Sequence, residues 1–294
     1  MRAHFSRWVG AALLSLVALA PPAQAYTPST LRIGFAPFDN QADVYKKAVP
    51  LVKVLTAALH MPVKPFVAGD YPGVVQALKG GKLDVAFLSP AALVLAEHVC
   101  HIHVILKSLY HNHASYYSAI LTRQDTGIHT LKQLKGHSFA FVDPSSTSGS
   151  IYPKVMLLNA GLNPDKDFTH VIYAGGHDAA VLALVNHKVD AAATFANDTH
   201  GGDVPWKAIL GPKASEIRVI AYSKPIPAGA IVVSDRLDPK LVTRMRDALL
   251  NLSKTPEGRH KLAEMYEVDG FVPANPADYD PVREAFTKIG LPLK

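Results

Sequence analysis

Cysteine is almost missing from this chain: Cys100 is the single one among 294 residues. No internal disulfide can form, so stability has to come from a packed core. Its apolar setting, "LAEHVCHIHV", suits a small buried hydrophobe rather than a reactive thiol. Runs of like charge are missing too. The 30 Lys and Arg and 24 Asp and Glu are dispersed, and no basic stretch interleaves with aromatics, which removes the footprint of nucleic-acid binding. There is no low-complexity segment and no repeat of solenoid length. A "GxSxG" nucleophile elbow is absent as well.

Long apolar runs are confined to the N-terminus. "MRAHFSRWVGAALLSLVALAPPAQA" joins a basic start (Arg2, Arg7) to an apolar run from Val9 and a small-x-small end at Ala23-Gln24-Ala25. That is the pattern of a cleaved signal peptide over residues 1–25, with the mature chain starting at Tyr26. A membrane anchor would need roughly 20 apolar residues, and this run stops sooner, at Pro21-Pro22. No Cys near the cleavage site offers a lipid attachment. Loss of Arg2 and Arg7 takes the net charge from +6 to +4, a mild excess that suits an anionic small ligand or simple solubility.

What is present is a globular composition, 49% hydrophobic. Short apolar runs bounded by turn-formers predict strands at 31–37, 84–89, 103–109, 116–122, 138–143, 169–175, 189–195, 217–223 and 229–235. Helical periods lie between them. In "VPLVKVLTAALH", Leu51, Val54, Leu55, Ala58 and Leu59 share a face behind Pro50, placed in a first turn; "IYPKVMLLNAG" stops at Gly161. Two helices near the C-terminus close the pattern. The class is α/β with mostly parallel sheets, and about 269 mature residues exceed one comfortable core, so two lobes are expected.

One stretch carries chemistry. In "FVDPSSTSGSIYP", residues 141–153, a strand gives way to a helix through Ser145, Ser146, Thr147, Ser148 and Gly149. In an open α/β sheet such loops line the ligand crevice. Free N–H groups and the positive end of the helix dipole favour an anion there; the hydroxyls add donors, and Gly149 permits a close backbone approach. A bland alternative stands beside this one: Ser146 or Ser148 as an ordinary N-cap. Ser150 follows Gly149 where a Walker loop needs Lys, which disfavours nucleotide hydrolysis.

"AGGHDAAVLALV" repeats the strand, loop and helix with His177 at the helix start, where a histidine can donate to an oxyanion; Asp178 reads as a first-turn acid. In "HIHVILKSLYHNH", His101 and His103 share a strand face, but no acid or thiolate with ligand geometry accompanies His111 and His113, so no metal site is assigned. Ser146 to Ser148, His177 and Asp198 supply the residue types of a nucleophilic enzyme. Hydroxyls massed at a helix start satisfy an anion more naturally than they attack a carbonyl, and no enzyme activity or cofactor is assigned.

Four stretches carry a resemblance: "DYPGVVQALKGGKLDVAFLSPAALVLA", "SYYSAILTRQDTGIHTLKQLKGHSFAFVDPSSTSGSIYP", "AGGHDAAVLALVNHKVDAAAT" and "KTPEGRHKLAEMYEVDGFVP". In order, from about residue 30 to 290, they resemble the phosphate/phosphite/phosphonate-binding family of periplasmic ABC-transporter substrate-binding proteins. The "DPxSTSG" element is the most specific part. The resemblance implies a two-lobe type II periplasmic-binding-protein fold with two hinge strands. Lobe one would hold residues 26–117 and 224–294, and lobe two residues 118–223.

It also implies a site. Ser146, Thr147 and Ser148 match the hydroxyl row that holds the phosphonate oxygens, Tyr71 and Tyr116 match tyrosines reaching the oxyanion from the other lobe, and His177 matches a histidine donor. Asp198 in "TFAND" stands where aminoalkylphosphonate binders place an acid against the ligand's amine; a second such acid is replaced by Gly229 in "PIPAGAIVV". A buried ammonium wants full pairing, so this departure favours phosphite, phosphate or a short alkylphosphonate. The implied role is periplasmic capture of that oxyanion by a monomer for a membrane permease. A sensor subunit addressing a histidine kinase, for a phosphonate or an arsenic oxyanion, is the alternative.

Overall fold

The computed structural model describes residues 25–37, 40–202, 205–266 and 268–291. Apart from Ala25, the expected signal peptide lies outside the described residues, and no helix among them is long and apolar enough to cross a membrane. The first lobe starts with β1 (Leu31–Phe35), α1 (Gln41–Leu59), β2 (Val63–Val67), α2 (Tyr71–Lys79), β3 (Val85–Leu88), α3 (Pro90–Val99) and β4 (Ile102–Leu109). The chain then enters the second lobe through β5 (Ser115–Arg123). There it forms β6 (Ser138–Phe141), α4 (Tyr152–Asn159), β7 (His170–Tyr173), α5 (His177–Val185), β8 (Ala191–Ala196), α6 (Trp206–Leu210) and β9 (Ile217–Tyr222). It returns through β10 (Ile226–Pro227) and β11 (Ala230–Ser234), and α7 (Pro239–Leu252), α8 (Pro256–Tyr266), β12 (Gly270–Pro273) and α9 (Asp280–Lys288) complete the first lobe.

The two sheets run β12-β4-β11-β3-β1-β2 and β10-β5-β8-β6-β7, with β9 also paired to β5. They are mixed rather than mostly parallel. A parallel centre, β2-β1-β3 in one and β7-β6-β8 in the other, comes from βαβ units. The strands that cross between lobes run against it: β11 pairs antiparallel with β3, and β5 with β8. The two crossings also touch each other, Tyr116 opposite Ile226, so the second sheet reaches from residue 115 to 227, slightly past 118–223 at either end.

Each lobe fixes its parallel centre with the same device. In "KLDVAF", Asp84 accepts from the Arg32 N–H at 2.9 Å and takes both guanidinium donors, at 2.9 and 2.6 Å. In "KVDAAA", Asp190 accepts from the Ser138 N–H at 2.9 Å and from its hydroxyl at 2.8 Å. Asp84 thereby pins β3 to β1, and Asp190 pins β8 to β6, which sets the register of the loops beyond.

Alternation along β3 divides the first lobe's core. Val85 and Phe87 face α1, α7 and α8; Ala86 and Leu88 face α2, α3 and α9. Ile151 and Tyr152 from the second lobe pack into the latter cluster, so the lobes share apolar contact beside the cleft. α1 starts well before the expected point, at Gln41, with Pro50 inside it. The Asn40 side chain caps it by accepting from the Ala42 N–H at 2.9 Å, and the buried Val44-Ala48-Leu51-Val52-Leu55-Leu59 stripe outweighs the hydrogen bond that Pro50 cannot make.

Candidate functional site

Between the two sheets lies a cavity of about 370 Å³. The first residues of four helical segments line it. Tyr71 opens α2 behind its N-cap Asp70, and Pro90 opens α3 behind its N-cap Ser89. Thr147 opens a single π turn, Thr147–Ile151, that runs into α4, and His177 opens α5. Two of these segments come from each lobe. Every one presents first-turn N–H groups and the positive end of its peptide dipoles, so the cavity is electropositive by backbone alone. Among the described lining residues there is no carboxylate, and Lys47 is the only formal charge.

The hydroxyl row is set by its backbone. Ser146 is the N-cap of the π turn, its Oγ accepting from the Gly149 N–H at 3.2 Å, so the bland alternative holds for this residue in addition to its place on the wall. Thr147 Oγ1 accepts from the Ala91 N–H of α3 at 2.9 Å, a bond from one lobe to the other. A hydroxyl that already accepts a backbone N–H is left with its proton to give. Ser148 lines the same wall, and its carbonyl accepts from Ser118 Oγ at 2.6 Å; the Ser118 N–H in turn donates to Ser223 Oγ at 2.9 Å. The donor loop is thereby tied to both crossings.

Gly149 has a different use from the one expected. A Cβ there would sit 2.3 Å from Val142 Cγ2, so glycine lets the turn close onto the end of β6 rather than onto a ligand. Tyr116 completes this side. Burial holds its phenol protonated, far above the ordinary tyrosine range, with the Thr147 and Ser148 side chains beside it. His177 Nδ1 lies 3.1 Å from Thr194 Oγ1 and its ring meets Phe195 edge-on. In the tautomer where Thr194 donates to Nδ1, the other ring nitrogen carries a hydrogen and can donate it.

Six of the expected residues, Tyr71, Tyr116, Ser146, Thr147, Ser148 and His177, therefore meet on one cavity. Asp198 is not among its lining residues. Asp198 Oδ1 instead accepts from the N–H groups of His200, Gly201 and Gly202, at 2.7, 2.8 and 3.3 Å, as a turn-former. Its neighbour Asn197 faces the cavity. Ser89, Ser108, Tyr110 and Gly229 also line it without having been singled out as donors. "FLSPAA" held the signal for Ser89: a Ser-Pro pair between an apolar run and a helix, the same grammar as the hydroxyl row. No group of three or more His, Cys, Asp or Glu side chains among the described residues is placed to hold a metal.

Two α/β lobes joined by paired crossings, with an anion-suited cavity between them, define a two-lobe solute-binding protein. The sequence profile described as "ABC transporter, phosphonate, periplasmic substrate-binding protein" matches residues 33–279, and the chain belongs to that family. It is 29% identical to the phosphate-import protein PhnD of Mycolicibacterium smegmatis, over 99% of this chain and 98% of that one. It is 27% identical to the phosphonates-binding periplasmic protein of Escherichia coli, over 86% and 75%. Among solved structures, PhnD1 of Prochlorococcus marinus in complex with methylphosphonate superposes with a TM-score of 0.79 at 22% identity, covering 90% of this chain and 100% of that chain. The family is one of periplasmic transport receptors rather than enzymes.

Proposed function

We propose that the protein captures a small phosphorus oxyanion, namely phosphite, phosphate or a short alkylphosphonate, and presents it as a monomer to an ABC permease. The observation that carries this is the meeting of four helix starts, two from each lobe, on one cavity with no lining carboxylate among the described residues. Ser146, Thr147 and Ser148 hold the oxyanion from the second lobe with His177, and Tyr71 and Tyr116 reach it from the first-lobe side. Closure turns residues 118–223 against 26–117 and 224–294 about the two crossings, favoured by contacts the ligand makes only in the closed form. Export by a signal peptide cleaved after Ala25 delivers the chain to the periplasm.

The names of the relatives, phosphate import and phosphonate binding, span the same ligand chemistry. Gly229 weighs against an aminoalkylphosphonate, because no lining carboxylate among the described residues would face the amine. Thermal-shift screening of phosphate, phosphite, methylphosphonate, 2-aminoethylphosphonate, sulfate, arsenate and arsenite tests the reading, since a ligand of the native state raises Tm. Phosphite, phosphate or methylphosphonate should give the largest rise. A response to none of the three would overturn the proposal, and co-purification with a histidine kinase instead of a permease would overturn the transport role.

A further inference from the structure

Resting on that oxyanion reading, we infer that Ser118 of β5, which is not among the lining residues, is a positioning residue that keeps the hydroxyl row in its π turn. The reason begins in "STSGSIYP". In the π turn Thr147–Ile151 the Tyr152 N–H donates to the Thr147 carbonyl, five residues back. Single turns of this kind are rare inside helices and gather at functional sites. In the same register the Ser148 carbonyl faces position 153, and Pro153 has no N–H to give. The next carbonyl, that of Gly149, is served from outside the turn by the Val142 N–H at 3.0 Å. Ser148 is buried, where an unpaired carbonyl is costly, so it too needs a donor from elsewhere.

Ser118 is that donor. Its side chain is fully buried, and its Oγ gives its proton to the Ser148 carbonyl at 2.6 Å. The hydroxyl is itself held in place. The Ser118 N–H donates to Ser223 Oγ at 2.9 Å, the Ser118 carbonyl accepts from the Ser223 N–H at 2.9 Å, and Ser223 Oγ donates to the Lys224 carbonyl at 2.6 Å. Ser223 follows β9, where the chain heads back to the first lobe. Two residues before Ser118, on the same face of β5, Tyr116 lies beside the side chains of Thr147 and Ser148. One strand therefore meets the row twice, once at its side chains and once at its backbone.

Without the Ser118 hydroxyl, the nearest helical donor for the Ser148 carbonyl is the Tyr152 N–H, which would have to leave Thr147. That exchange turns the π turn into an α turn and rotates the residues before it by about 100°, one residue's share of a helical turn. The hydroxyls of Thr147 and Ser148 then leave the wall, and Thr147 Oγ1 leaves the Ala91 N–H. Ser118 thus governs where two donors stand.

A double-mutant cycle with Pro153→Ala tests this on the full chain, by calorimetry with phosphite and methylphosphonate and with circular dichroism for the fold. Ser118→Ala should raise Kd about tenfold or more, as a misplaced donor to an anion does, and Ser118→Thr, which keeps the hydroxyl, should stay within about threefold of the parent. Pro153→Ala returns an N–H at the position that can serve the Ser148 carbonyl in the π register. In that background Ser118→Ala should change Kd by less than about threefold. A folded Ser118→Ala that binds like the parent, or a tenfold loss that persists with Ala at 153, would overturn the inference and leave the oxyanion reading standing. Where Ser118→Ala alone does not fold, recovery of fold and binding in the double variant upholds the inference and failure to recover overturns it. A parent protein that binds neither compound would sink both readings.

Discussion

Removing the Thr147 hydroxyl tests the site at the point where both lobes depend on it. In Thr147→Ala the Ala91 N–H loses its acceptor at 2.9 Å inside a buried contact, and the anion loses one donor. A hydrogen bond to a charged group contributes about 1.5–3 kcal/mol, so Kd should rise roughly ten- to hundredfold. Thr147→Val keeps the shape without the hydroxyl and should match Ala, whereas Thr147→Ser keeps the hydroxyl and should stay within about threefold of the parent. Isothermal titration with phosphite and methylphosphonate reads the affinities, and melting without ligand separates lost binding from lost fold. Ala and Val variants that melt normally and bind within twofold of the parent would refute the assignment of Thr147 as an anion donor.

Gly229→Asp should fit, since a Cβ there meets only ordinary contacts of 3.5–4.0 Å; titration should show 2-aminoethylphosphonate gaining and phosphate losing at least about tenfold each. Gly149→Ala would force a Cβ to 2.3–2.4 Å from Val142, and a loss of about 2 kcal/mol or more in denaturant unfolding is expected, with binding impaired through the displaced turn. For Asp143, burial foremost and the charge of Asp70 after it raise the carboxyl above its ordinary range, partly offset by its bond from the Ser145 N–H. The native state therefore binds more protons than the unfolded one, and stability falls as pH rises from the usual carboxylate range near about 4 through the raised value. Asp143→Asn should flatten that fall in melts recorded from about pH 3 to 7; parallel curves for the two proteins would contradict it.

Much of this was legible from residue pattern. The apolar runs at 31–37, 84–89 and 138–143 became β1, β3 and β6 because buried parallel strands leave a nearly continuous hydrophobic trace. β2, "VKPFV", alternates buried and exposed at the sheet edge and carries Pro65, so it left no such trace. β10 is two residues long, visible only through its partner Tyr116. The antiparallel crossings were hidden for a related reason: pattern reports burial, and strand direction is settled by where the chain returns from the other lobe. At the site, "STSG" announced itself by density of hydroxyls, but nothing local separated Asn197 from Asp198. That choice rests on three backbone N–H groups at 200–202 that claim the carboxylate.

The neutrality of the donor wall has an ecological corollary. Attraction between exposed ions fades as electrolyte thickens around them, over about 10 Å at 0.1 M and far less in brine. Buried hydroxyls and peptide dipoles touching their guest feel little of that shielding. A receptor gripping phosphorus in this manner should retain its hold from rainwater to seawater, which a cluster of lysines could not.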